Sequence, residues 1–374
     1  MRRSHGHVLT THVGSLPKPD GFPDLSDAAG VRAAVGAVVR RQREAGLDIV
    51  NEGEFTKGGG WTNFADARLS GFEPRTDLKL PLVGEAGQDR TDFADFYRYA
   101  SERGVLFYDV RPPGRHVAQV CTAPLTYVGQ GALRLAIEAT LAAADDPSDV
   151  FLTTVAPASL EPYRINEHYG SQEEFLFALA DAMREEYEAI ARAGLLVQVD
   201  DAWLPALWDR IGIQMGLDGF RRYCAVRVEA LNHGLRNVPE EQIRYHLCWG
   251  SWHGPHAHDL EMRHIVDLML SVKAQAYSFE AANARHEHEF VVWDEVKLPE
   301  GKILLPGCVS HATNVVEHPE LVAQRIRRFA ERVGAENVIA STDCGFGGRT
   351  HPQIGWAKLA ALVEGARLAS RALY

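Results

Sequence analysis

The sequence predicts an α/β protein, a single (β/α)8 TIM barrel over residues 1–374 with an insertion or lid segment around residues 70–115. Three observations predict it. Short apolar strands alternate with helical stretches along the chain, the pattern of a parallel sheet. Those strands repeatedly finish in a chemically capable side chain: Ser15, Glu54, Asp200, His246 with Cys248, Glu280, His311 and Cys344. In a (β/α)8 barrel the C-terminal strand ends converge on one mouth, so distant segments can supply one cluster. A length of 374 residues suits one such barrel carrying insertions.

The first element is His7 to Ser15, a strand that Pro17 and Pro19 prevent from continuing. Residues 25–46 follow as a helix, with Val31, Val35, Val38 and Val39 at helical spacing. They lead into the strand Asp48 to Val50 and the acids Glu52 and Glu54. Gly58-Gly59-Gly60 is a loop without the strand-turn-helix context of a nucleotide motif. Residues 70–115 are polar, Pro-interrupted and weakly periodic, hence the inserted segment.

Strands are then expected at 117–124, 150–155 and 196–201, with helices near 131–144 and 172–193 between them. A further helical region precedes the strand at 243–250, and a helix over 259–272 follows it. Strands at 276–280, 303–311 and 338–345 complete the set, separated by helices at 318–333 and 353–371. That makes nine candidates for eight staves, and 150–155 is the one expected to be peripheral.

Composition excludes several classes. Hydrophobic and charged fractions of 46% and 24% are those of a globular protein with a full core. A net charge of −11 without a basic block argues against nucleic acid or an anionic membrane as partner. No apolar run approaches the ~20 residues of a spanning helix. The two N-terminal arginines have no apolar segment behind them, so no secretory signal is expected. Five scattered cysteines form no disulfide framework, which suits a reduced, cytoplasmic protein. A homo-oligomer is compatible with all of this.

Within the strand ending at Gly250, Ile243, Tyr245 and Leu247 alternate with Arg244, His246 and Cys248. Side chains two apart on a strand share a face, so His246 and Cys248 project together. An imidazole and a thiolate so placed are two ligands for a borderline cation, zinc above all. For these two residues alone, a core histidine beside an apolar cysteine is the competing reading.

Taken with the other strand ends, the chain resembles the cobalamin-independent methionine synthase family, matching its C-terminal catalytic barrel. The residues that carry the likeness are His246-x-Cys248, Glu280 after Ser278-Phe279, and Asp343-Cys344-Gly345. Thr11-His12-Val13-Gly14-Ser15-Leu16-Pro17, Gly53-Glu54, Val199-Asp200-Asp201 and Ser310-His311 support it. The resemblance implies a zinc ion (Zn2+) held by His246, Cys248, Glu280 and Cys344. It implies that Glu54 and Asp200 hold the ammonium group of homocysteine and that the segment from Val13 to Ser15 receives its carboxylate. It further implies that His311 assists proton delivery to the leaving group, with Asp343 orienting a ligand or the substrate. The implied partners are a small-molecule thiol and an alkyl donor. Zinc would keep the substrate sulfur a thiolate at neutral pH, ready to attack an electrophilic carbon.

The chain departs from the family pattern in two ways. Full-length members have two barrels, so the likeness is to the shorter, single-barrel relatives. The segment Thr122 to Gln130 matches a strand end where a family tryptophan stacks on the pteridine of methyltetrahydrofolate, and Gln130 stands there instead. Tyr127 and Trp61 are the aromatic candidates to replace it. A relative of similar size, epoxyalkane:coenzyme M transferase, uses the same zinc-held thiolate to open an epoxide without folate. Its sulfonate would need a cation such as Arg164 or Arg349. A zinc-free barrel like uroporphyrinogen decarboxylase and a non-catalytic zinc protein complete the alternatives. His253, His256 and His258 read as loop or substrate-shaping residues. Arg285 to Glu289 reads as an exposed turn or lid contact, and Cys121, Cys224 and Cys308 as core thiols.

Overall fold

Seven strands of the computed structural model pair in parallel and in one continuous order. The structure describes residues 1–58, 62–80, 82, 86–106 and 117–374. In chain order the strands are β1 (Val50–Asn51), β2 (Leu69–Arg75), β3 (Ala118–Tyr127), β4 (Val150–Val155) and β5 (Arg164–Asn166). They continue as β6 (Leu196–Asp201), β7 (Ile243–Leu247), β8 (Ala276–Phe279), β9 (Ile303–Val309) and β10 (Ser341–Thr342). The main sheet runs β1-β4-β6-β7-β8-β9-β10.

Residues 9–11 supply the eighth stave. The Ala340 N–H donates to Leu9 O and the Thr11 N–H to Ala340 O, both at 2.9 Å. On the other edge the Ile49 N–H reaches Thr10 O at 3.0 Å. The sheet therefore closes on itself as a (β/α)8 barrel, which leaves it no edge.

The expectation for 150–155 is overturned. β4 lies between β1 and β6 in the barrel. The peripheral strand is β3, which pairs antiparallel with β2 and parallel with β5 in a separate sheet. The physical reason is legible in burial. All six residues of β4 are buried, as a barrel stave requires, whereas the C-terminal half of β3 alternates with solvent.

Helices take the outer layer. Ala28–Glu44 is capped by Asp27, whose carboxylate accepts the Gly30 N–H, and Gln172–Arg192 by Ser171, whose hydroxyl accepts the Glu174 N–H. Pro319–Val333 and Pro352–Leu373 each start on a proline. The helix expected over 259–272 shortens to Val266–Ser271. The inserted segment is not irregular: β2 and the helices Gln88–Asp92 and Ala94–Arg103 lie within it.

The base of the barrel is filled by Leu9, Ile49, Phe151, Leu196, Ala276, Ile303, Leu305 and Ile339. β7 contributes Arg244 at this level, stacked 3.8 Å over the Phe151 ring and donating to Thr11 Oγ1 and His12 O. Because facing is periodic, the next inward residue up from Arg244 is His246. The register sets Asp200 beside His246, and His246 beside Ser278. The tier above this plug is the mouth.

Candidate metal centre and its cavity

His246 is buried at the end of β7, and its two ring nitrogens have different surroundings. Nδ1 lies 3.1 Å from Ser278 Oγ on the adjacent strand. Nε2 is buried with no hydrogen-bond partner. Cys248 follows one tier up, and Cys344 comes from the segment after β10, its backbone carbonyl accepting from Thr342 Oγ1 at 2.9 Å. The two sulfurs are 3.9 Å apart. The ligand atoms of His246, Cys248 and Cys344 all lie within 4.8 Å of one another.

The electrostatics follow from that crowding. The neighbouring Cys248 sulfur, and then the nearby imidazole of His246, hold the Cys344 thiol well below its ordinary range. Burial alone would depress His246, but its contact with Cys344 outweighs this and the net shift is upward. A buried imidazole nitrogen without a partner, facing two sulfurs of which one favours the thiolate, is a donor set that fits a zinc ion. Ser278 Oγ holds the ring through Nδ1 and can accept a proton from it, the tautomer in which Nε2 is available to a metal.

Glu280 stands one step outside this trio. It follows β8, and its carboxylate accepts the Trp249 N–H at 2.9 Å and the Asn283 amide at 2.7 Å. Its oxygens group within 4.8 Å with His311 and Asp343. Asp343 is held by the N–H groups of Ala281 and Ala282, each at 2.8 Å. Gly307 makes room for it, since a Cβ there would fall 2.0 Å from Asp343 Oδ1. His311 is buried, its Nδ1 has no partner, and burial lowers its pKa to about 4. Neither Glu280, His311 nor Asp343 is among the residues lining the cavity.

A cavity of about 390 Å³ opens over the trio. Val13, Ser15, Glu54 and Asp200 line it together with His246, Cys248 and Cys344. Glu54 reaches it through a left-handed backbone, φ +60°, which a non-glycine residue adopts at a cost. Its Oε1 accepts from Thr153 Oγ1 at 2.7 Å and lies 3.4 Å from Lys57 Nζ. Burial raises Asp200 to about 7, against the pull of Lys57. Gly345 lets the loop after Cys344 settle on Ser15, where a Cβ would come within 2.7 Å of the serine Cβ.

The rest of the wall is aromatic and cationic. Tyr163, Trp203, Trp252, Arg90, Arg210 and Arg349 all line it. The Arg210 guanidinium sits 5.7 Å from the Trp203 ring centroid and 5.3 Å from that of Trp252. Arg349 donates to Ser251 Oγ and to Gly347 O. Arg164 is elsewhere, buried against Asp66 and the Leu160 carbonyl. Tyr127 is bonded to Glu186 at 2.6 Å and Gln130 to the Tyr127 carbonyl, and neither lines the cavity. Gly59, Gly60 and Trp61 lie outside the described residues.

The sequence matches the cobalamin-independent synthase catalytic domain over residues 157–368, more than half of the chain. The chain belongs to that family. It is 23% identical to a methionine synthase of Thermococcus kodakarensis over 97% of this chain and 94% of that protein. It is 24% identical to a 2-hydroxypropyl-CoM lyase of Xanthobacter autotrophicus over 96% of this chain and 94% of that one. Its fold is that of a B12-independent methionine synthase from a Shewanella species in complex with selenomethionine, with a TM-score of 0.69 at 19% identity, covering 98% and 99% of the two chains. The family is one of enzymes that act on small molecules.

Several residues of this cavity and its surroundings are silent in the sequence. Trp203 and Arg210 read as helix residues, and Ser278 as part of an apolar strand. Asn283 is visible only as a polar residue three positions after Glu280. Trp252 is better signalled, because it lies in the loop directly after the ligand strand. Its indole N–H donates to Tyr97 OH at 3.1 Å, and its ring stacks on His256 at 4.1 Å.

The inserted segment packs on this same loop. Asp89 accepts the Ala257 N–H at 2.9 Å, His258 meets Asp92 at 2.7 Å, and the His253 N–H donates to Leu106 O. The reading of 285–289 as an exposed turn needs correction. Arg285 and His288 are exposed, but His286 is buried between Glu289, at 2.8 Å, and Asp259, at 3.2 Å. Two carboxylates compensate the desolvation of its charged form and raise its pKa to about 10. Cys121, Cys224 and Cys308 are buried and free.

Proposed function

We propose that the protein is a zinc-dependent thiol alkyltransferase, one catalytic domain over residues 1–374, that transfers a methyl group to the sulfur of homocysteine or a similar amino-acid thiol. The observation that carries this is the partnerless Nε2 of His246, set against the sulfurs of Cys248 and Cys344 in a cavity that also presents two carboxylates. Zinc held by His246, Cys248, Cys344 and the nearby Glu280 would supply Lewis acidity that keeps the substrate sulfur ionised.

The chain's own groups do the rest. Ser278 orients the His246 ring. Glu54 and Asp200 hold the substrate ammonium, and the backbone and hydroxyl of Val13 to Ser15 receive its carboxylate. His311, an imidazole that burial keeps neutral at pH 7, would take up the proton the thiol loses and pass it to the leaving group. Asp343 sets the backbone of 281–282 and through it the position of Glu280. No helix among the described residues is long and apolar enough to cross a membrane, and the chemistry suits the reducing cytoplasm.

A second reading has a specific observation behind it. Arg90, Arg210 and Arg349 line the same cavity, which favours a substrate with an anionic group. A sulfonate thiol opening an epoxide, as the CoM-lyase relative suggests, would use them. The test is thiol consumption by zinc-loaded protein offered homocysteine or coenzyme M, each against methyl-folate, methylcobalamin and a small epoxide. Homocysteine consumption with a methyl donor supports the proposal, and turnover confined to coenzyme M with epoxide replaces it by the second reading. Protein that takes up no zinc would return the zinc-free decarboxylase-like alternative.

A further inference from the structure

Asn283 has a fixed orientation that makes it more than a turn residue. Its Oδ1 accepts two backbone N–H groups, from Arg285 at 2.9 Å and His286 at 3.1 Å. The amide cannot flip without losing both bonds and setting an oxygen against carboxylates. Nδ2 is thereby presented to two acids at once, Glu280 Oε2 at 2.7 Å and Asp343 Oδ2 at 3.2 Å. The other oxygen of Glu280 is taken by the Trp249 N–H. Both oxygens of Glu280 therefore have a prepared resting place apart from the His246–Cys248–Cys344 trio, held by Trp249, which follows Cys248, and by an amide shared with Asp343, which precedes Cys344.

We infer that Asn283 is a positioning residue that receives the Glu280 carboxylate when a thiol takes its place on the metal, and so sets how readily sulfur enters. This rests on the zinc-thiol reading above. A buried carboxylate released with no donor to meet it would be costly, so exchange would be unfavourable without such a site. With the donor locked by its own turn, the released state is stabilised in advance. Asp343 holds the same amide from the far side and fixes the distance. The only bond broken is the thiol S–H, whose proton would pass to His311; the carboxylate oxygen would move between the metal and Nδ2 as the thiolate takes the vacated position.

The decisive variant is Asn283→Ala, which removes the donor without adding charge; Asn283→Ser, whose hydroxyl can still accept in the turn, accompanies it. Zinc-edge absorption of the zinc-loaded protein is followed during titration with homocysteine, and in a parallel arm with 2-mercaptoethanesulfonate. Both variants should bind zinc at wild-type stoichiometry and melt within a few degrees of wild type. The thiol concentration for half-maximal sulfur entry should rise about 10-fold or more, as loss of a hydrogen bond to a charged group implies. The KM for thiol should rise with it, while kcat at saturating thiol changes less than about twofold. Half-saturation unchanged in both variants overturns the role of Asn283 while the zinc-thiol reading stands. Loss of zinc from both variants also overturns it, because Asn283 would then hold the metal site together. If the wild type itself gains no sulfur from either thiol, the zinc-thiol reading falls and the inference falls with it.

Discussion

The sulfur atoms of Cys248 and Cys344 stand 3.9 Å apart although 96 positions separate them in the chain. They come from staves that are not neighbours, with β8 and β9 between them in the sheet. Only closure of the barrel brings them together, and the partnerless nitrogen of His246 faces the same point.

That juxtaposition predicts graded losses of metal. Cys344→Ser and His246→Ala should each reduce zinc affinity by more than about 100-fold, with loss of activity. Ser278→Ala, which leaves the ligands intact but frees the imidazole, should cost about 10–100-fold. Competition with a chromophoric chelator measures all three. Wild-type affinity in Cys344→Ser or His246→Ala would remove that residue from the ligand set.

Glu54 and Arg349 make opposite predictions for the two candidate thiols. Glu54→Gln should raise the KM for homocysteine about 10-fold or more and leave an uncharged thiol unaffected, because only the former loses a charge-assisted bond. Arg349→Gln should raise KM for 2-mercaptoethanesulfonate and spare homocysteine. Steady-state kinetics on the four pairs checks this, and equal effects on charged and uncharged thiols would show that Glu54 recognises no amine.

Gly307 predicts a packing defect beneath the metal site. A Cβ would meet Asp343 Oδ1 at 2.0 Å and Asp343 Cα at 2.8 Å, so backbone must move. Gly307→Ala should destabilise by about 1–3 kcal/mol, as overpacking does. Urea unfolding reads it directly, and an unchanged midpoint would show that the strand relaxes freely.

His12 gives stability a pH dependence. Burial, aided by Arg244, lowers its pKa to about 3, and its Nε2 lies 2.7 Å from Gln42 Oε1. The unfolded chain would titrate near 6.5. Between those values the unfolded state binds the extra proton, so stability falls as pH drops from about 6.5 toward 3 and is unaffected above. The slope from this residue is at most about 1.4 kcal/mol per pH unit. His12→Gln should flatten the wild-type profile of urea midpoints between pH 7 and 5, and parallel profiles would refute the assignment.

The barrel and half of the site are legible in the sequence. Alternating strands and helices gave the layers, and period-two facing placed His246 and Cys248 on one side of β7, since neither inference needs more than local geometry. The assignment of staves was not legible. β3 and β4 both read as strands in the sequence, and burial on both faces is what distinguishes a stave from a flanking strand. His286 was misread for the same reason: a run rich in charges looks solvated until Asp259 and Glu289 are seen to enclose it.

By itself the sequence determined a parallel α/β architecture, an imidazole-thiolate pair on one strand face, and acids at the strand ends. These are consequences of spacing along the chain. The family resemblance implied that Cys344 joins His246 and Cys248 and that Glu54 and Asp200 meet; the tertiary structure alone decided that Glu280 rests on Asn283 and Trp249 and that three arginines share the cavity with those acids. Contacts between residues dozens to hundreds of positions apart depend on how the staves close and register, and local sequence does not encode those distances.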